Sequence, residues 1–329
     1  MRSAIILAAG KGTRMKSDTP KVLHTIIDRP MMGYIVDSLK KAGAQRILAV
    51  VGYKADEVKA AFPELEFAIQ EPQLGSGHAA MQATALADEE GSTLVINGDG
   101  PCIQPETLKK LYEANEGKSL TLLSSVLEDG AHYGRVVRDK EGHVTGIVEA
   151  KDCTSEQKQI REVNAGMYCF NTRDLFEGLK KLTPNNAQHE YYITDLAKIF
   201  ADEGKLVDAI VIEDRDETAG INDPAELASA ASWIQKKICD RHMKNGVQIC
   251  DPARTVIGPD AVIGRDVVIE PDTAILGHSV IGDGARILSQ SRLDNAVVGK
   301  RACIDACRVY NVSVPDDEQA GPFAVLKND

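Results

Sequence analysis

Lys11, Arg14 and Lys21 follow closely on two glycines, Gly10 and Gly12, at the end of the apolar run Ala4-Ile5-Ile6-Leu7-Ala8-Ala9. Glycines let a backbone approach a ligand and turn its N–H groups toward it, and nearby cations neutralise phosphate charge. The loop sits just past a run of buried-strand type, which is where open α/β sheets take their ligands. These residues predict a cradle for a triphosphate. It is not a Walker A loop, because Gly10 and Gly12 are too close together and Pro20 intervenes before Lys21. A tight strand-to-helix turn also carries glycine for steric reasons, so the loop alone leaves that simpler reading open.

Asp99 is the candidate ligand for a hard divalent cation. It follows Leu94-Val95-Ile96 and lies in the turn Gly98-Asp99-Gly100, past the carboxyl end of a predicted strand. Carboxylates suit Mg²⁺, which takes oxygen ligands and fills its shell with water and phosphate. On local grounds alone the residue could also be a turn-capping aspartate.

The spelling Leu7-Ala8-Ala9-Gly10-Lys11-Gly12-Thr13-Arg14-Met15, then Pro20-Lys21, resembles the nucleotidyltransferases that make nucleotide sugars from a nucleoside triphosphate and a sugar 1-phosphate. It is most similar to the bacterial N-acetylglucosamine-1-phosphate uridylyltransferases, the pyrophosphorylase half of a bifunctional uridylyltransferase and acetyltransferase family. Further matches follow in family order. They are Gln70-Glu71-Pro72-Gln73-Leu74-Gly75-Ser76-Gly77-His78, Gly98-Asp99-Gly100-Pro101, Tyr133-Gly134-Arg135-Val136, Ile147-Val148-Glu149-Ala150-Lys151-Asp152, Glu162-Val163-Asn164-Ala165-Gly166, Glu190-Tyr191-Tyr192-Ile193-Thr194-Asp195 and Gly220-Ile221-Asn222-Asp223.

The resemblance implies uridylyl transfer from UTP to N-acetylglucosamine 1-phosphate with release of pyrophosphate. It assigns Asp99 and Asn222 to Mg²⁺, with Asp223 better used as a helix cap. Lys21 meets the α-phosphate and the sugar phosphate, and Arg14 meets the leaving pyrophosphate. Leu7, Ala8 and Gly10 line the nucleotide, Gln70, Gln73, Gly75, Ser76 and Gly77 form the uracil stretch, and Gly134, Glu149, Asn164 and Asn222 contact substrate. The types fit: glutamine amides and open backbone offer donors and acceptors at fixed angles, and a carboxylate with an amide suits sugar hydroxyls. The sugar phosphate is already a competent nucleophile, so the demand is for alignment and charge neutralisation rather than a strong base. His78 then reads as the start of a helix, not a catalytic base.

Three residues depart from the family pattern: Asn97 where tyrosine is common, Ala165 for threonine, and Gly100 for a bulkier side chain. They keep open a second acceptor, such as glucose 1-phosphate, and a catalytically silent regulatory protein that binds UDP-sugars. The acetyltransferase site of the family lies in further coils, so none is expected before Asp329. Whether the natural protein is short or the chain truncated stays open.

The elements that must position these residues fall into three segments. Residues 1–222 alternate strand-like runs (3–9, 46–51, 67–70, 93–97, 119–126) with helical patterns (31–42, 55–61, 78–87, 105–113). That predicts an α/β fold, a mostly parallel sheet of Rossmann-like type with helices on both faces. Runs at 134–138, 144–148 and 165–170 predict an added β layer walling the site. Residues 223–250 carry a linker helix, opened by Asp223-Pro224 and ended by Asn245-Gly246. In 251–329 the period becomes six: Ile257, Ile263, Ile269, Ile275, Ile281, Ile287 and Leu293. After a slip at Val298 the pattern resumes at Ile304 and Tyr310. Hexapeptide repeats mark a parallel β-helix, and resemblance to hexapeptide acyltransferases makes it left-handed, with about three coils. Such prisms pack in threes, so a homotrimer through 251–329 is expected, with a monomer as the alternative.

Composition bounds the rest. A chain of 329 residues with 43% hydrophobic and 26% charged residues is globular and long enough for two domains. Its net charge of −11 excludes a basic nucleic-acid surface, so an anionic substrate must be met by local cations and a metal. No apolar run approaches the ~20 residues needed to span a bilayer. The first residues lack a leader pattern, which predicts a cytoplasmic protein. The seven cysteines form no CxxC pair, and Cys303 and Cys307 fit the repeat rather than a metal site.

Overall fold

The computed structural model describes residues 1–130 and 132–327. The last two residues of the predicted 251–329 segment lie outside them. The chain forms two compact units, one of Met1–His24 with Met31–Pro224, the other of Thr25–Pro30 with Ala225–Asp329.

The first unit is built on a nine-stranded sheet. Its strands in chain order are β1 (Arg2–Ala8), β2 (Arg46–Val51), β3 (Glu66–Ile69), β4 (Ser92–Asn97), β5 (Leu120–Val126), β6 (Arg135–Arg138), β7 (Val144–Val148), β8 (Glu162–Asn171) and β9 (Val207–Val211). The spatial order is β9-β5-β8-β4-β1-β2-β3, with β6 and β7 branching from β8. The strands β4, β1, β2 and β3 run parallel, and β8 is antiparallel to both β4 and β5.

Strand periodicity decides which helices cover which face. Ala4, Ile6 and Ala8 of β1 alternate with Ile5 and are buried in a different cluster from it. The first three pack with α1 (Met31–Lys41), α2 (Ala55–Ala61) and α4 (Pro105–Ala114), through Ile35, Leu39, Val58, Leu108 and Leu111. Ile5 packs with α3 (Ser76–Met81), α5 (Thr172–Leu179) and α6 (Asp195–Asp202), through Ala80, Leu175, Leu196 and Phe200. Strand β1 is flanked by β2 on one side and β4 on the other, so the chain reverses its direction of growth across the sheet there. This switch point opens a crevice at the carboxyl ends of β1 and β4.

Two expected elements differ. The helix predicted over 78–87 starts at Ser76 and stops at Met81, followed by a 3₁₀ turn at Thr84–Leu86. Gln82 N and Ala83 N bond three residues back, while the Gln82 side chain takes the His78 carbonyl at 2.9 Å. A side chain has replaced the backbone partner that an α-helix would supply there. The strand predicted at 165–170 as part of an added layer lies instead inside the main sheet, between β5 and β4; it extends over Glu162–Asn171 and is bulged, Asn164 pairing with Ser124 but Tyr168 with Leu122. Bulges of this kind re-aim side chains beside a site.

The second unit begins with α7 (Pro224–Lys244) and continues as short parallel strands in stacks of five, five and four. Partners are eighteen residues apart at first (Thr255 with Thr273), then seventeen (Arg286 with Cys303), then sixteen (Arg292 with Arg308). About three coils are therefore too few. The count fell short because the six-residue period fades after Leu293, where turns shorten. The inward residues are Val298, Ile304, Val309 and Val314, all buried, and Tyr310 is not one of them. Thr25–Pro30 belongs to this unit: Gly277 N donates to Asp28 Oδ2 at 2.7 Å, and Arg29 forks onto Asp260 at 2.6 Å. All seven cysteines are free, and no described helix is long and apolar enough to cross a membrane.

Candidate functional site

Two cavities meet at the switch point. One is lined by Leu7, Ala8, Gly10, Gly12, Arg14 and Lys21, from β1 and its loop. The other is lined by Asn97, Gly134, Glu149, Asn164, Ala165 and Thr194, among others. Asp99 and Asn222 line both. A donor and an acceptor bound side by side would therefore meet at these two oxygens.

The junction is tightly wired. Gly98 N donates to Leu7 O at 2.9 Å, tying the Asp99 turn to the end of β1, and Ile221 N donates to Asp99 O at 2.9 Å, bringing Asn222 alongside. Lys21 Nζ lies 2.6 Å from Asp99 Oδ2 and 2.9 Å from Asn222 Oδ1. Arg14 Nη2 donates to the same Asn222 oxygen at 2.8 Å. The four residues thus form one cluster, although Arg14 and Asn222 are separated by 208 positions. Gly12 makes the close approach possible. Its φ is +63°, and a Cβ there would stand 2.7 Å from the Lys21 Cβ.

The chemistry of this donor set suits a divalent cation. A carboxylate and an amide oxygen already converge on one cationic centre, the Lys21 ammonium. Two protein oxygens leave room for water and phosphate, as a hard, reluctantly dehydrated ion requires.

The residues of the predicted uracil stretch line neither cavity, apart from Ser76. They reach the site through Gln73, whose Nε2 donates to the Ala9 carbonyl. Gln70 is buried, and its Nε2 donates to Gly75 O at 2.9 Å. Gly75 has φ +105°, and a Cβ there would meet Tyr191 O at 2.6 Å, so only glycine allows this turn. The stretch is strapped to 190–193: Tyr191 N donates to Leu74 O at 2.8 Å, Gly77 N to Tyr191 O at 2.7 Å, and Ile193 N to Ser76 Oγ at 3.1 Å.

In the second cavity, Asn164 N donates to Gly134 O at 2.8 Å, and Asn164 Nδ2 to the Tyr168 hydroxyl at 2.7 Å. Buried Arg135 donates to the carbonyls of Gly130 and Tyr133, bracing the Gly134 turn. Burial raises the Glu149 carboxyl above its ordinary range, a hydrogen bond from Thr194 opposes the rise, and the charge of Asp152 adds to it. The Thr194 hydroxyl donates to Glu149 Oε1 at 3.0 Å. Sequence reasoning gave no role to Thr194 or Tyr168. Thr194 stood in a quoted motif, but its partner lies 45 residues away, and one sequence carries no sign of that pairing.

Asp195, next to Thr194, gives a stability prediction. Burial, then the charges of Glu149 and Asp152, push its carboxyl from 3.8 up to about 6. Between these values the folded state binds more protons than the unfolded chain, so stability falls as pH rises through this window and stays lower above it. The shift sets a ceiling of about 3 kcal/mol. Residual solvent and the N-terminus of α6, which favours a carboxylate, reduce it to about 1 kcal/mol. Asp195→Asn is expected to melt about 2–4 °C above the parent at pH 7.5 and together with it below pH 4, by calorimetry.

Residues 4–187 match the family model of the MobA-like NTP transferase domain, and residues 260–295 that of the bacterial transferase hexapeptide, six repeats. The Bifunctional protein GlmU of Geobacillus thermodenitrificans strain NG80-2 is 45% identical over 99% of this chain and 72% of its own length. Those of Listeria monocytogenes serotype 4b strain CLIP80459 and Geobacillus sp. strain WCH70 are each 41% identical, with the same coverage.

Proposed function

The chain belongs to the GlmU family, a nucleotidyltransferase that joins UTP to N-acetylglucosamine 1-phosphate, and on that premise we propose that the Lys21–Asp99–Asn222–Arg14 cluster is its reaction centre. An enzyme of this type works with a divalent cation. In this reading the ion is Mg²⁺, held by Asp99 and Asn222, and when bound it neutralises phosphate charge. The hexapeptide segment is the left-handed β-helix of the family.

The chain's own residues account for the rest. Leu7, Ala8 and Gly10 present open backbone to the nucleotide. Gln70, Gln73, Gly75 and Gly77 take the base. Gly134, Glu149 and Asn164, with Thr194, hold sugar hydroxyls. Lys21 faces the α-phosphorus and the attacking phosphate oxygen, and Arg14 the departing pyrophosphate. A new P–O bond forms at the α-phosphorus as the bond to pyrophosphate breaks, with charge spread over groups already in place. The observation carrying this reading is that both cations and both oxygens meet where the two cavities join. Asn97 and Ala165 line the sugar-side cavity, but nothing about them favours a different acceptor or loss of catalysis. The test is pyrophosphate release from UTP with a panel of sugar 1-phosphates. Preference for the acetamido sugar is expected, and absence of turnover with every sugar refutes the assignment of the cluster. The same reading implies a cytoplasmic location, where nucleoside triphosphates are supplied.

For assembly we propose a homotrimer through the β-helix. Val262, Val280 and Val297 occupy one stacked column and are 60, 40 and 45% exposed. The column is apolar over these three strands and ends at Ser313 in the fourth, and an exposed apolar stripe on a parallel prism is suited to a second copy of the chain. Light scattering with size exclusion is expected to give three times the 35.5 kDa chain mass, and a monomer mass at micromolar concentration rejects the trimer.

A further inference from the structure

We infer that His78 is the positioning residue that selects uracil over cytosine, by fixing which end of the Gln70 amide faces the base. The inference rests on the reading that Gln70 lies in the base site.

Gln70 follows β3, and its side chain is anchored at the nitrogen end twice. Nε2 lies 2.9 Å from the Gly75 carbonyl oxygen and 3.2 Å from His78 Nδ1. A carbonyl can only accept, so the Gln70 group facing it must be the NH₂. The second amide hydrogen then points at Nδ1, which must also accept. Gln82 Nε2 approaches the other ring nitrogen at 3.4 Å, a longer contact than the 3.2 Å from Gln70, so Nδ1 is the acceptor that anchors the amide. Both amide hydrogens are used internally, and the oxygen is left as the group Gln70 can offer to a ligand. The His78 backbone is held by Gln82 Nε2, which donates to its carbonyl at 2.9 Å, and the ring faces the Tyr191 ring 6.2 Å away, centroid to centroid.

The consequence is a filter on the pairing edge of the base. Uracil presents an N3–H donor there, which an amide oxygen accepts. Cytosine presents a bare N3, which the same oxygen repels. To serve cytosine the amide must rotate by half a turn. That breaks two hydrogen bonds and sets its oxygen against the Gly75 carbonyl. With His78 absent, only the Gly75 bond opposes rotation. A single neutral hydrogen bond accounts for about a fivefold to tenfold change in a binding ratio. His78 thus acts through Gln70 rather than on substrate.

The experiment compares kcat/KM for UTP and for CTP, with N-acetylglucosamine 1-phosphate as acceptor, in the parent, His78→Leu, His78→Asn and Gln70→Leu. Asparagine carries an acceptor oxygen on Cγ, in the place of Nδ1, whereas leucine fills space without one. His78→Leu is expected to lower the UTP:CTP ratio about fivefold to tenfold, mostly through KM for UTP. His78→Asn is expected to restore most of it. A general loss of structure scales both nucleotides alike and leaves the ratio unmoved. If His78→Leu does not fold, His78→Ala takes its place. An unchanged ratio in the His78 variant, with a lowered ratio in Gln70→Leu, overturns the inference and leaves the base site standing. An unchanged ratio in Gln70→Leu overturns both.

Discussion

Asp99→Ala is expected to lose at least ~100-fold in turnover while folding normally. Among the described residues Asp99 is the one carboxylate that lines both cavities, and its Oδ2 already holds the Lys21 ammonium at 2.6 Å. A hundredfold loss corresponds to about 2.7 kcal/mol of transition-state stabilisation, within the range that removing one preorganised electrostatic partner produces. The stability effect is of a different size. The Asp99 and Lys21 side chains are 26 and 13% exposed, so their ion pair resembles a surface bridge more than a buried one. Such pairs contribute about 0–1 kcal/mol, and the melting temperature is expected to move by no more than ~3 °C. Asp99→Asn keeps an oxygen but not the charge, and is expected to recover little. Pyrophosphate release measured across a divalent-cation titration checks this. Near-parent activity of Asp99→Ala at limiting cation removes Asp99 from the metal site.

What the sequence made legible follows from the range over which each signal acts. The continuous apolar run Ala4-Ile5-Ile6-Leu7-Ala8-Ala9 is local, and it marked β1 correctly. The six-residue period was equally local and marked the β-helix until its turns shortened, which is why Tyr310 was misplaced by one residue against Val309. Strand order is not local. Nothing in Glu162–Asn171 says that it will insert between two strands running the other way, or that it will bulge at Asn164. The site divides in the same manner. That the glycine-rich loop after β1 and the Asp99 turn come to one cavity was readable because strand, glycine and charge fall within a few residues. The meeting of Arg14 with Asn222, and of Thr194 with Glu149, depends on the order of the sheet. Helix α3 shows a third kind of failure: the pattern over 78–87 was helical, but a glutamine side chain competed successfully for one backbone carbonyl.

Lys21→Ala is expected to separate two quantities that usually fall together. Turnover should drop at least ~100-fold, because the proposed place of the ammonium is against the phosphates between which charge moves. Affinity for the divalent cation, measured by calorimetry without nucleotide, should rise. The reason lies in the geometry of the cluster: Lys21 Nζ sits 2.6 Å from one proposed metal ligand and 2.9 Å from the other. An ion binding to Asp99 and Asn222 must displace that ammonium, and the alanine variant has none to displace. At short range one competing charge–charge contact near a protein surface contributes on the order of 1 kcal/mol, so a gain of a few-fold in cation affinity is expected. Lys21→Arg should recover less than tenfold of the lost turnover. A planar fork cannot take the place of a compact point charge seated between two oxygens, and the Gly12 backbone lies hard against the Lys21 stem. Turnover near the parent value ends the assignment of Lys21 to the phosphates. A weaker cation affinity in Lys21→Ala shows that lysine and metal do not share the Asp99–Asn222 pair.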